Sequence, residues 1–219
     1  MLHLYALVRQ PAVVPAVRGI EDRPLRTVVL DDGIEAVVSE TSNGVARSED
    51  VILAHAHVVE VLAEANEAVL PARFAGSIRS DDELRAGVAE RREKILAALG
   101  RVDGCVELGL RVLRHEPTAE PSASSGREYM QRRLDQVGQA QALARDVHGT
   151  LAALARESTC QVVARGDLVL TSAYLLPRAG VEQFRAAMGE AEEAFPDVTL
   201  VLTGPWPPYS FTLLETGSE

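Results

Sequence analysis

The residue pattern predicts an α+β protein in two domains, residues 1–103 and 104–219. Three observations carry this. In CVELGLRVL (105–113), Val106, Leu108, Leu110 and Val112 alternate with Cys105, Glu107, Gly109 and Arg111, the period of a strand with one buried face. Asp32-Gly33 and Gly166-Asp167 each separate two strand-like runs, and such dipeptides tolerate the positive φ of a tight hairpin. Between the strands lie stretches whose apolar residues recur at helical spacing.

In order, LHLYALV (2–8) reads as a first strand with a mixed apolar pattern, and the proline-bearing 11–24 as a loop. LRTVVL (25–30) and IEAVVS (34–39) form the first hairpin. Ser48 caps a helix whose stripe is Val51, His55, Val58 and Leu62, with Glu49 and Asp50 at its positive end. AVLPARF (68–74) is extended. Ser80 and Glu83 then form a capping box ahead of one helix, with Leu84, Val88, Ile95 and Leu99 buried and Gly100 ending it.

After the strand at 105–113, residues 114–126 read as a surface loop rich in Pro, Ser and Ala. A long helix from about Arg127 to Glu157 follows. Its apolar face is Leu134, Val137, Ala144, Val147, Leu151 and Leu154, with a weak point near His148-Gly149. TCQVVAR (159–165) and LVLTSAYLL (168–176) make the second hairpin. Val181, Phe184, Met188, Ala191 and Phe195 mark a helix that Pro196 stops, and VTLVLTG (198–204) is the last strand. Residues 105–203 therefore run β-α-β-β-α-β. That is the ferredoxin-like order, an antiparallel sheet with both helices on one face. The first half, β-β-β-α-β-α, is a separate α+β unit.

The chain has 219 residues, 47% of them hydrophobic, which suffices for a sizeable aliphatic core. A net charge of −10 repels polyanions, so nucleic acid is not an expected partner. No apolar run reaches the roughly 18–20 residues of a membrane span. The opening MLHLYALVRQP reads as a strand rather than a secretory signal. Cys105 and Cys160, far apart, suit a reducing compartment, and cytosol is the expected location.

Motifs for chemistry are absent. His55 and His57 point about 200° apart on a helix and cannot share a metal; His3, His115 and His148 are distant in sequence. No G-x-S-x-G elbow and no phosphate-binding glycine loop occurs, so neither a catalytic residue nor a cofactor is expected. Asp81-Asp82-Glu83 serves as a cap, RGD at 165–167 as a turn, and Arg127, Arg132 and Arg133 as a solvated helix face. Glu107 and Arg111 share one sheet face, either as an exposed charge pair or as a polar rim for a partner.

TGPWPPYSF (203–211) stands apart. It carries the single tryptophan, Trp206, together with Tyr209 and Phe211, in a chain only 4% aromatic. Pro205, Pro207 and Pro208 fix φ and remove donors, favouring an extended path of low entropy. The segment either seals the edge of the last sheet or presents an aromatic anchor to another protein, and the two uses are compatible.

LTGPWPPYSF (202–211) resembles the C-terminal signature of the gas vesicle protein F/L family. LYALV (4–8), VLPARFAGSI (69–78), VELGLRV (106–112) and GREYMQRRL (126–134) are similar, in the same order, to other segments of that family. Ala75 stands where the family tends to have Gly, with Gly76 one residue later. The resemblance implies two α+β domains, the second ferredoxin-like, and a cytosolic, non-catalytic accessory or minor structural protein of gas vesicles. It implies as partners the small hydrophobic shell protein and other accessory proteins. Trp206, Tyr209 and Phe211 are then one candidate docking patch, and Arg73 with Phe74 a second. The competing reading is a ferredoxin-like small-molecule enzyme or ligand-sensing domain, since that topology hosts many functions.

Overall fold

The computed structural model describes residues 1–31, 33–42, 47–74, 78–115 and 125–212. Asp32, Ala75-Gly76 and most of the loop expected at 114–126 lie outside the described residues. The fold is α+β, with two four-stranded antiparallel sheets. The chain forms two compact units: Met1–Cys105 together with the segment from Trp206 onward, and Val106–Pro205. The tail expected with the second domain thus groups with the first unit. Its reason is local: Tyr209 packs on that unit's core, and the Phe211 carbonyl accepts a 2.6 Å hydrogen bond from Arg101.

In the first unit the sheet order is β2-β3-β1-β4, from β1 (Leu2–Arg9), β2 (Leu25–Asp31), β3 (Ile34–Glu40) and β4 (Val69–Pro71), every pairing antiparallel. The β2–β3 turn places Gly33 at φ +93°, which glycine adopts without strain. The mixed pattern of β1 has a specific cause. Leu4 pairs with Val38 and Ala6 with Val37, so Tyr5 is an extra, bulged residue. The bulge resets the alternation, turning His3 and Tyr5 inward ahead of it and Ala6 and Val8 inward after it.

Helix α1 (Glu49–Ala65) is capped as expected, the Ser48 hydroxyl accepting from the Val51 amide, and it buries His55, Val58, Val59 and Leu62. The single helix expected over 80–100 is instead two, α2 (Asp81–Ala89) and α3 (Arg92–Val102). Arg91, at φ −121° and ψ 13°, leaves helical geometry, and its amide closes a tight turn on the Val88 carbonyl. Periodicity continues through the break because Leu84, Val88, Ile95 and Leu99 are all buried, and Gly100 lies inside α3 rather than ending it. The capping box is half formed. The Ser80 hydroxyl accepts from the Glu83 amide, but the Glu83 carboxylate accepts from the Arg79 amide, one residue before the cap. Asp81 accepts two bonds from Arg26, at 2.8 and 3.2 Å, which fasten α2 to β2 and lower the Asp81 pKa.

The second sheet has the order β6-β7-β5-β8, from β5 (Cys105–Arg114), β6 (Glu157–Arg165), β7 (Leu168–Pro177) and β8 (Val198–Trp206). Helix α4 (Gly126–Ala152) joins β5 to β6, and α5 (Val181–Ala194) joins β7 to β8. Cys105 and Cys160 form no disulfide, and β7 separates their strands. One core cluster unites Leu108, Leu110 and Val112 of β5 with Leu170 and Tyr174 of β7, Val147 and Leu151 of α4, and Phe184 and Met188 of α5. Helix α4 runs unbroken through Gly138 and Gly149 but stops at Ala152, short of the expected Glu157, which opens β6. Leu134, expected in the buried stripe, is 61% exposed. It lies six residues before buried Ala140, about 120° round the helix. Glu107, read as part of an exposed pair, is buried, while Arg111 is exposed.

Leu151→Ala should destabilise the protein by roughly 2–5 kcal/mol in urea unfolding, whereas Leu134→Ala should shift it by no more than about 0.5 kcal/mol. Tyr5→Phe, which removes a buried hydroxyl bonded to the Ser39 hydroxyl and the Ile20 amide, should cost on the order of 1–3 kcal/mol in the same assay.

Candidate docking surface

The C-terminal segment is anchored at one end and open at the other. β8 ends at Trp206 after Gly204 at φ +106°, and the indole is 45% exposed. Pro207 and Pro208 are buried. They lead into a 3-10 turn, Tyr209–Phe211, in which the Tyr209 amide donates to the Pro207 carbonyl and the Phe211 amide to that of Pro208. Tyr209 packs half-buried on the first unit's core, and its phenol pKa is pushed up to about 12, by burial first and then by the neighbouring Glu60 carboxylate. Phe211 is 2% exposed. Of the three aromatics assigned to this patch, Trp206 alone faces outward freely; Phe211 faces inward because Arg101 and the 3-10 turn tie down its backbone.

The second patch follows β4. Arg73 is exposed, and Phe74 is half-buried against the same core as Tyr209. The Phe74 ring centroid lies 5.3 Å from that of His3 and 5.7 Å from that of His55. The Arg47 guanidinium covers it at 5.6 Å and also donates to the Phe74 carbonyl. Before it, the Ala72 amide donates to the Tyr5 carbonyl at 2.8 Å. Beyond it, Leu2 and Ile78 exchange both backbone bonds.

Beneath this segment lies a cluster that sequence reasoning did not assemble. His3 Nε2 is 2.8 Å from His55 Nδ1, and His55 Nε2 is 2.9 Å from the Ala72 carbonyl. The carbonyl only accepts, so His55 Nε2 carries a proton, its Nδ1 is the bare acceptor, and His3 donates from Nε2. The Tyr5 hydroxyl bonds Ser39 at 2.9 Å and receives the Ile20 amide at 2.8 Å. Burial, followed by repulsion from His55, lowers the His3 pKa to about 4, and burial lowers that of His55. The inward position of His55 on the α1 stripe was legible; its partner, 52 residues earlier, was not. His57, two positions on, is exposed, so the two histidines of the HxH pair do diverge.

The second unit holds two polar features. His148 Nδ1 lies 3.0 Å from the Tyr174 hydroxyl, and its Nε2 lies 3.5 Å from that of Ser158. A half-open cavity of about 560 Å³ is lined by Arg114, His115, Leu143, Phe195, Pro196 and Asp197. Among the described residues, no cluster of metal-ligating side chains occurs, and no helix is long and apolar enough to cross a membrane.

The family model described as "Gas vesicle synthesis protein GvpL/GvpF" matches residues 1–212. Gas vesicle protein L of a Streptomyces species is 34% identical over 185 residues, which cover 74% of this chain and 68% of that protein. Gas vesicle protein F1 of Halobacterium salinarum is 26% identical over 221 residues, covering 100% and 95% respectively. The fold matches the crystal structure of GvpF from Anabaena sp. PCC7120 with a TM-score of 0.84 at 15% identity, over 100% of this chain and 98% of that one. It also matches GvpF from Microcystis aeruginosa, with a TM-score of 0.77 at 17% identity, over 97% and 99%. Because the family model spans almost the whole sequence, the chain belongs to the GvpL/GvpF family of gas vesicle synthesis proteins.

Proposed function

We propose that this protein is a non-catalytic accessory or minor structural protein of gas vesicle assembly, acting in the cytoplasm and at the vesicle. It binds the hydrophobic shell protein and other accessory proteins. Family membership supports the vesicle role. The docking reading rests chiefly on one observation: an exposed Trp206 at the end of a strand whose continuation is buried at Pro207, Pro208 and Phe211. A rigid, half-exposed indole is the kind of group that dominates binding energy at protein interfaces. Tyr209 and Phe211 act as the anchor that holds it, and exposed Arg73 beside Phe74 supplies the second contact. The sheet order β6-β7-β5-β8, with its two intervening helices, supports a ferredoxin-like second domain used as scaffold. The competing small-molecule reading has the cavity beside Arg114 and Asp197 in its favour, and binding there predicts protection of that cavity alone.

Trp206→Ala should keep the wild-type unfolding midpoint and circular dichroism yet lose tenfold or more in affinity for purified shell protein, about 1.4 kcal/mol or greater. Phe211→Ala should instead lower stability by roughly 3–5 kcal/mol. Undiminished capture of shell protein by folded Trp206→Ala would remove the first patch from the docking surface.

A further inference from the structure

The Ala72–Phe74 segment is fixed from below by a relay of two imidazoles. His3 donates to His55, and His55 donates to the Ala72 carbonyl, while both rings sit edge-on or tilted against the Phe74 ring. Each histidine is 3% exposed. The arrangement works with both rings neutral. A first proton would place an imidazolium in the core, against the same Phe74 ring that the Arg47 guanidinium already covers. A second proton would set N–H against N–H.

Among the described residues, no carboxylate pairs with either imidazole. From β1 comes the Tyr5 phenol, engaged with Ser39 and Ile20. On β3, Glu35 accepts from the Ala12 amide, and Glu40 faces Arg26. On the 3-10 turn Ile20–Asp22, Glu21 is taken by Ser42, and Asp22 faces Arg18. On α1, Glu60 lies beside Tyr209. Protonation is therefore relieved by turning a ring toward water, which withdraws the donor from Ala72 and the ring faces from Phe74.

We propose that the His3–His55 pair is a positioning device for the Arg73–Phe74 segment, holding it in place while both rings are neutral and releasing it when either gains a proton. This rests on the reading of that segment as a docking patch, and it makes docking there pH-dependent. The sign follows from the depressed histidine pKa values. The neutral, holding form is complete above about pH 6.5, the ordinary histidine value, and its stabilisation is lost as pH falls toward 4, the value for His3.

The test is an NMR titration of the whole chain from pH 7.5 to 4. The imidazole signals of His3 and His55 should titrate well below pH 6.5. The amides of Ala72, Arg73 and Phe74 should move with the same midpoint, while that of Leu151 in the other unit stays still. In His55→Phe these three amides should be displaced at neutral pH and respond to acid no further. Imidazoles that titrate near pH 6.5, or that titrate below it while the Ala72–Phe74 amides remain fixed, overturn the proposal; wild type alone decides this if the variant does not fold. Shell-protein capture by Phe74→Ala at pH 7.5 is read separately: unaltered capture removes the docking role of the segment and leaves the positioning device standing.

Discussion

The first unit is organised around one extra residue in its first strand. Without the bulge at Tyr5, strict alternation would keep His3 and Tyr5 on one face with Leu7, and send Ala6 and Val8 to the other. With it, all four face the core. The phenol then meets two partners it could not otherwise serve together, the Ser39 hydroxyl on β3 and the Ile20 amide in the preceding loop. A Cβ at Gly19 would collide with that hydroxyl, so the loop reaches the phenol only because residue 19 is glycine. The Tyr5 carbonyl also receives the Ala72 amide. Three separate stretches of chain thus converge on residue 5, and the histidine relay and Phe74 are laid against the result.

What could be read from the sequence follows from the range of the interactions involved. Strands and hairpins were legible because their signals are local: alternation in 105–113, and glycine at turns where φ is +93° and +63°. The caps at Ser48 and Ser80 were legible for the same reason. The break between α2 and α3 was not, since both helices bury one continuous stripe and neither Glu90 nor Arg91 is a helix breaker. The exposure of Leu134 was missed because apolar identity was counted without its angle on the helix. His3 and His55 could not be joined at all. Their hydrogen bond spans 52 residues and depends on a bulge that composition does not announce.

The C-terminal aromatics show how one short segment divides its labour. Sequence reading grouped the three as one patch, but their burial differs by position. Phe211 is the buried weight, Tyr209 the half-buried bridge, and Trp206 the exposed tip. The tail was expected to stay with the domain whose last strand it continues. It groups with the other unit, where Tyr209 packs on the core and Arg101 donates to the Phe211 carbonyl.

That division also answers why an acidic chain with few aromatics would leave its one tryptophan in water. An indole on a free tail would lose roughly 0.5–1.5 kcal/mol in ordering on binding, besides the ordering of its backbone. It would also be a general aggregation hazard beside an apolar partner. For the proposed docking, fixing the following backbone with buried prolines and a 3-10 turn would lower that ordering cost in advance. The net charge of −10 keeps the rest of the surface hydrated and self-repelling, so a single ring can be sticky without the molecule being so. In the docking role proposed for Trp206, an anchored ring on a charged body would bind selectively for a physical reason: a partner must bring apolar surface to one defined place and orientation, and would gain little by touching anywhere else.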